Sequence, residues 1–328
     1  MTRDVHAYFD EVVEPHIASR LPQVAAEMIV QVHGSYGLGL GDERSDLDAI
    51  IYLDDPLWRE QGGQVQLLMQ HDLPPFAAPS PAYCETPGDP FSWPIFGHSE
   101  INVHPVSWLL DHQAQDFLGD AGEPSWEKVS QPSLYELQHN LILRDPRGLM
   151  ARLQRLASPE RLPDWLWRKL LIERLCDLKG EPWELAKALA RGRAAEARIV
   201  LGSLVQSLLE LGFLISRRYY PYRKYLWPAF AALPLARACL ADFELLVSAT
   251  ESAAQAEAMQ RITRRYTERI LADGLLSAAV LEDLFAARNG RAWNNPRWDE
   301  GKIRLQEAAV AAGYESRDGW IWGLWGWT

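Results

Sequence analysis

The chain has 328 residues, 48% of them apolar and 23% charged, with a net charge of −11. That length suffices for two domains with a substantial core, and the acid excess argues against a nucleic-acid partner, whose phosphates need a basic surface. The three cysteines, Cys84, Cys176 and Cys239, are too far apart for a zinc or disulfide framework; no run of about eighteen apolar residues offers a membrane span, and the acid-bearing start does not read as a secretory signal, so the expectation is a cytoplasmic protein with no membrane role.

In chain order, residues 4–28 read as an amphipathic helix, with Val5, Tyr8, Phe9, Val12, Val13 and Ile17 near helical spacing and Pro15 and Pro22 as kinks or breaks. Residues 25–32 then enter the next turn as a short helix or strand. The stretch from Val30 to Leu53 carries the chemistry. An apolar run ends in Gly34-Ser35, a glycine-rich segment with Gly37, Gly39 and Gly41 follows, and Ser45-Asp46-Leu47-Asp48 opens a second apolar run, Ala49 to Leu53. Residues i and i+2 of a strand share a face, so Asp46 and Asp48 present two carboxylates side by side. Such a pair repels itself unless a cation intervenes, and an oxygen-only donor set suits Mg²⁺ together with substrate phosphates. The Gly-Ser turn offers backbone N–H groups and a hydroxyl to a phosphate chain. The plainer alternative is a glycine-rich turn before a strand with two solvent-facing acids.

These residues resemble the signature of the DNA polymerase β nucleotidyltransferase superfamily: an apolar residue, Gly, Gly or Ser, a spacer of ten residues here, then Asp-x-Asp inside an apolar strand. The resemblance implies that Asp46 and Asp48 hold two Mg²⁺ ions. It also implies that Gly34 and Ser35, with Ser45 nearby, bind the phosphates of ATP or another NTP.

Residues 58–71 are a further helix candidate, weakened by Gly62-Gly63. Residues 72–97 hold seven prolines besides Tyr83, Phe91, Trp93 and Phe96. That composition forbids a regular interior element and reads as an irregular connection or an aromatic-lined flap over a substrate. Ser99 to His104 alternates as a strand, with Ile101 and Val103 facing one way and Glu100, Asn102 and His104 the other. The superfamily carries a third acid on a later strand beside the aspartate pair, and antibiotic adenylyltransferases within it open that strand with the acid, which resemblance assigns to Glu100. Leu141 to Arg144 reads as the last strand of this domain, closing in the Asp145-Pro146 turn.

From Leu162 the periodicity is helical, over about 163–179, 182–216, 233–249, 251–273, 275–288 and 299–312. Between two of these helices lies Arg217-Arg218-Tyr219-Tyr220-Pro221-Tyr222-Arg223-Lys224. It resembles a segment in the helical domains of antibiotic nucleotidyltransferase relatives, where a lysine reaches the triphosphate; here that role falls to Lys224, with Arg217 or Arg218 helping. The plainer alternative is a basic helix end that complements the helix dipole. Glu181, Glu184, Glu196 and Asp242 are candidate contacts for a cationic substrate, or solvated helix faces. The tail holds four tryptophans, Trp320, Trp322, Trp325 and Trp327, and reads as folding back, as capping a substrate, or as meeting a partner.

The expected architecture is α+β: a small mixed-sheet nucleotidyltransferase domain over 1–155, then an all-α helical bundle over 156–328. The expected chemistry is transfer of a nucleoside monophosphate to a hydroxyl of a small-molecule acceptor, with pyrophosphate released and Asp46, Asp48 and Glu100 as the catalytic acids. Two alternatives stand beside it: a toxin-type transferase acting on tRNA or protein, and a catalytically silent binding module.

Overall fold

A computed structural model of the chain describes residues 4–42, 45–71, 73, 76, 99–110, 126, 130–178 and 181–281. The fold is α+β. It divides into two compact units that meet between Arg161 and Leu162, six residues beyond the expected 155/156 boundary. The helix Leu149–Leu156 and the turn Pro159–Arg161 stay with the first unit. A bond from the Gln138 side chain to the Gln154 carbonyl ties that helix to Gln131–His139.

The first unit is built on a four-stranded mixed sheet in the order β3-β2-β1-β4. Its strands are β1 (Ile29–Val32), β2 (Leu47–Leu53), β3 (Ser99–Pro105) and β4 (Leu141–Arg144). β1 pairs antiparallel with β2 and with β4, and β2 pairs parallel with β3. Strand alternation sorts the side chains. Leu47, Ala49, Ile51 and Leu53 join Val30, Val32, Ile101 and Val103 in one buried cluster. That face is covered by the N-terminal helical stretch, through Val5, Tyr8, Phe9, Val13 and Ile17, and by Val24 of Pro22–Glu27 and Val65, Leu68 and Met69 of Gly63–His71. The other face carries Asp48, Ile50 and Tyr52. There the Tyr52 hydroxyl donates to Gln31 Oε1 at 3.2 Å.

The N-terminal stretch expected over 4–28 is helical in two pieces, divided just before Pro22, one of the two prolines expected to kink or break it. Helical backbone over 5–18, capped by the Asp4 carboxylate on the His6 N–H, gives way to a turn at Ser19 and Arg20 before Pro22 starts a second helix. Proline at the first turn of a helix loses nothing, because its N–H would have no partner there. Met28 turns extended and β1 follows. Two helices that the sequence pattern did not signal, Gln131–His139 and Leu149–Leu156, flank β4.

The second unit is helical among its described residues: Asp164–Asp177, Glu181–Ala190, Ala194–Ile215, Arg223–Ala231, Leu240–Ser248 and Ser252–Ala272. The helix expected over 182–216 breaks at Gly192, whose φ of +65° is left-handed and open to glycine at little cost. Ala194–Ile215 is apolar and long enough to cross a membrane by those measures alone, and 56% of its most apolar window is buried inside the protein. Its C-terminal half, with Phe213, packs against Phe230 and Tyr266, and Phe243 stands edge-on to Phe230. Gly212 lets them close in, for a Cβ there would stand 2.5 Å from the Phe230 ring and 2.6 Å from the Tyr266 hydroxyl. Arg223–Ala231 falls between expected helices and keeps Pro228 in its interior. The expected 299–312 helix, the second half of 275–288 and the tryptophan-rich tail lie outside the described residues.

Candidate active site

The aspartate pair lies where β1 and β2 meet the Gly-Ser turn. Asp46 and Asp48 are both half-buried, Asp46 just ahead of β2 and Asp48 second within it. The His33 N–H donates to the Asp48 carbonyl at 2.7 Å, which extends the β1–β2 ladder one step past Val32↔Ala49. Gly34 follows at φ +61°, and a Cβ built on it would overlap Asp48 Oδ2 and stand 3.3 Å from Cγ. A glycine is therefore required twice over here, for the backbone angle and for the approach of the main chain to the carboxylate. Ser35 is buried, and its Oγ has no hydrogen-bond partner among the described residues. A Cβ on Gly37 would overlap the Val32 carbonyl, so the turn folds directly back on the end of β1.

The spacer is held by its own side chains. The Tyr36 hydroxyl donates to the Asp42 carbonyl at 2.8 Å, and Phe76 packs edge-on against Tyr36 and Tyr8, each at 5.1 Å. Leu73 and Phe76 are the described members of the proline-rich 72–97 stretch, so the flap expectation lies outside the described residues. Ser45 closes the loop: its hydroxyl donates to Asp42 Oδ1 and accepts from the Asp42 N–H, both at 3.0 Å. The structure thus engages Ser45 inside the spacer, while Gly34 sits against the Asp48 carboxylate.

For the expected third acid, the register gives a backbone position. β3 runs parallel to β2 with Glu100 opposite Asp48 and Asn102 opposite Ile50. Glu100 thus holds the position beside Asp48 on the adjacent strand; its side chain lies outside the described residues. Among the described side chains, no group of three or more His, Cys, Asp or Glu gathers around a metal position. His104, four positions after Glu100, stacks on Trp108 at 4.0 Å.

Two residues with no role in the sequence reading complete the site. His33, immediately before the Gly-Ser turn, accepts through Nδ1 from Asn140 Nδ2 at 3.1 Å across 107 positions of sequence. Asn140 is buried, at 3% exposure, between Gln131–His139 and β4. Burial pushes the His33 imidazole down to about 4, so it is neutral at physiological pH. Its Nε2 and Asn140 Oδ1 are buried without hydrogen-bond partners among the described residues. A histidine beside Gly-Ser is visible in sequence. Asn140 is not, because nothing local marks it and only strand pairing brings it near.

The donor set fits a hard divalent cation with a polyphosphate. It comprises carboxylate oxygens at Asp46 and Asp48, an acid position at Glu100 in register, and a buried hydroxyl with no partner in a glycine-lined turn.

The remaining expected residues belong to the helical unit. Arg217 ends Ala194–Ile215 in a left-handed conformation, φ 50°, and pairs with Asp164 at 2.5 Å. Lys224 is exposed in the first turn of Arg223–Ala231, its ammonium 5.2 Å from the centre of the Tyr225 ring. Of the acids expected to meet a cationic substrate, Asp242 is bound by Arg261 and Arg265. Glu181 accepts from Ser207 at 3.1 Å, and Glu196 pairs with Arg193 at 3.2 Å.

Residues 126–227, which hold Asn140, β4, Arg217 and Lys224, match a family model described as a domain of unknown function, DUF4037. No curated protein matches the chain. Among solved structures, a nucleotidyltransferase-like protein from Exiguobacterium sibiricum 255-15 is similar at 12% identity, over 94% of this chain and 96% of that one, with a TM-score of 0.35.

Proposed function

We propose that the protein is a nucleotidyltransferase that moves a nucleoside monophosphate, AMP from ATP in the simplest case, onto a hydroxyl of a small molecule. The observation that carries this reading is the approach of Gly34 to the Asp48 carboxylate: the motif's two halves, the Gly-Ser turn and the Asp-x-Asp strand, meet in space. Asp46 and Asp48 hold Mg²⁺, with Glu100 completing the set. When bound, the metal neutralises the triphosphate and sharpens the acceptor oxygen as a nucleophile. Gly34 N–H and the Ser35 hydroxyl orient the β- and γ-phosphates. The acceptor oxygen forms a bond to the α-phosphorus, the bond to the β-phosphate oxygen breaks, and pyrophosphate leaves. Glu100 accepts the acceptor's proton.

The net charge of −11 favours a cationic or neutral acceptor over tRNA. A cytoplasmic location belongs to the same reading. The test is pyrophosphate release from each NTP with Mg²⁺, against aminoglycosides, lincosamides and bulk tRNA. Release with a small molecule, abolished in Asp48→Ala, is the expected result. Release only with tRNA would replace the acceptor class, and ATP binding indifferent to Mg²⁺ would sink the enzyme reading.

A further inference from the structure

We propose that Asn140 is a positioning residue for the aspartate site, acting through His33. The inference rests on the nucleotidyl-transfer reading. A short series of contacts carries it. Asn140 Nδ2 donates to His33 Nδ1 at 3.1 Å. The His33 main chain donates to the Asp48 carbonyl at 2.7 Å and accepts from the Gly37 N–H at 2.9 Å. Between those two bonds sits Gly34, whose Cα abuts the Asp48 carboxylate. One amide from the start of β4 therefore fixes the ring at the head of the turn, and the turn fixes both the glycine and the acid.

Asn140 is itself well anchored. Its N–H donates to the Glu136 carbonyl at 2.8 Å, and its own carbonyl accepts from Gln154 Nε2 at 3.4 Å. Its side-chain oxygen lies 3.2 Å from where a Cβ on Gly37 would stand, so the glycine turn and the amide fit against each other. The arrangement carries two buried atoms without partners among the described residues, His33 Nε2 and Asn140 Oδ1. An apolar pair of similar shape would spare the fold that cost. Unsatisfied groups of this kind collect where geometry serves a site.

Isosteric variants of His33 separate positioning from direct ligand contact. His33→Asn puts an amide oxygen near the place of Nδ1 and keeps the bond to Asn140. His33→Gln puts its amide near Nε2 and drops that bond. Two readouts apply: steady-state kinetics, and binding of Mn²⁺, standing in for Mg²⁺, by calorimetry without turnover. Asn140→Ala and His33→Gln are expected to weaken Mn²⁺ binding and lower kcat by about tenfold each, with acceptor KM unchanged, as removing the residues that orient metal ligands does elsewhere. His33→Asn stays within about threefold of the parent, and the Asn140→Ala/His33→Gln double variant is no worse than either single, because both break one bond.

Parental Mn²⁺ binding and kcat in a folded Asn140→Ala protein would overturn the proposal. So would the reverse pattern, His33→Gln intact and His33→Asn impaired, which assigns Nε2 to the ligand. If Asn140→Ala fails to fold, the two His33 variants decide alone. Asp48→Ala, run alongside, separates the two levels. Mn²⁺ binding unchanged by Asp48→Ala overturns the transfer reading and this proposal with it. Binding lost in Asp48→Ala yet intact in Asn140→Ala overturns the positioning role alone.

Discussion

Asp48 and Asp242 are both aspartates drawn into the protein, and their surroundings differ in kind. Asp242, in the helical unit, is 8% exposed and held by two guanidinium groups, Arg261 Nε at 2.6 Å and Arg265 on its other oxygen. Burial alone would raise its carboxyl; the hydrogen bonds and charges of Arg261 and Arg265 outweigh that and hold it below the usual range. Asp48, in the sheet unit, has a glycine main chain against its carboxylate, next to a turn with a buried serine hydroxyl and a buried imidazole nitrogen that lack partners among the described residues. The helical unit matches its acid with cations of its own, which serves the fold. The sheet unit sets buried polar atoms, Ser35 Oγ and His33 Nε2, in the turn that abuts its acid, and the transfer reading assigns that turn to a ligand.

The sharpest way to break this comparison is to remove each acid. Asp48→Ala should lower pyrophosphate release by at least about a thousandfold, because metal binding and turnover both depend on that carboxylate in the transfer reading, with the unfolding midpoint unchanged. If the midpoint falls and turnover survives, the comparison is wrong.

Next in size is pH. His33 has a folded-state pKa of about 4 against 6.5 in the unfolded chain. Between those values the unfolded state binds the extra proton, so stability falls as pH drops from 6.5 toward 4 and levels off below. The difference amounts to about 3 kcal/mol. Denaturant unfolding across that window should show this slope, and His33→Asn should remove it.

Gly34→Ala tests the glycine approach. A methyl group at φ +61° that overlaps Asp48 Oδ2 should cost about a hundredfold in kcat/KM. The loss in stability should be only about 1–2 kcal/mol, the usual cost of a left-handed non-glycine residue. Asp242→Ala should do the opposite and destabilise by about 2 kcal/mol. That is less than for a fully buried pair, because both arginines are more than a third exposed, and the kinetics of the folded fraction should be unchanged. The smallest effect is expected of Lys224→Ala, which should leave stability, measured by denaturant unfolding, unchanged to within about 0.5 kcal/mol, since the side chain is exposed.

Where the sequence could be read, a local pattern and a local cause coincided. Asp46, Leu47, Asp48 and the run to Leu53 alternate as strand residues must, and β2 follows that alternation, with Leu47, Ala49 and Ile51 in the core. Gly34 stood out because its neighbours did, and the structure supplies the reason, a left-handed turn beside a carboxylate. Other features depend on partners distant in sequence. That Glu100, and not Asn102, lies opposite Asp48 is set by pairing across β2 and β3. The Gln131–His139 helix has short apolar content and a Ser130 cap on the Ser133 N–H at 3.2 Å, too little to stand out by periodicity. The helix expected over 182–216 continues its apolar spacing through Gly192, and it is the backbone angle there, not the hydrophobic pattern, that ends it.

The bond between His33 and Asn140 spans 107 positions, and β4 pairs with β1 across a similar interval. That span has a consequence in time. Translation runs at about 5–20 residues per second, so a nascent chain carries the Gly-Ser turn and both aspartates for roughly 5–20 s before the residue that braces them has been made. Contacts of such separation also form late in folding, because loop closure must be met before they repay it. The chain thus adds Asn140 and β4 after both aspartates and the Gly-Ser turn, and a ribosome-bound fragment ending before residue 140 should hold both aspartates without the amide that braces His33.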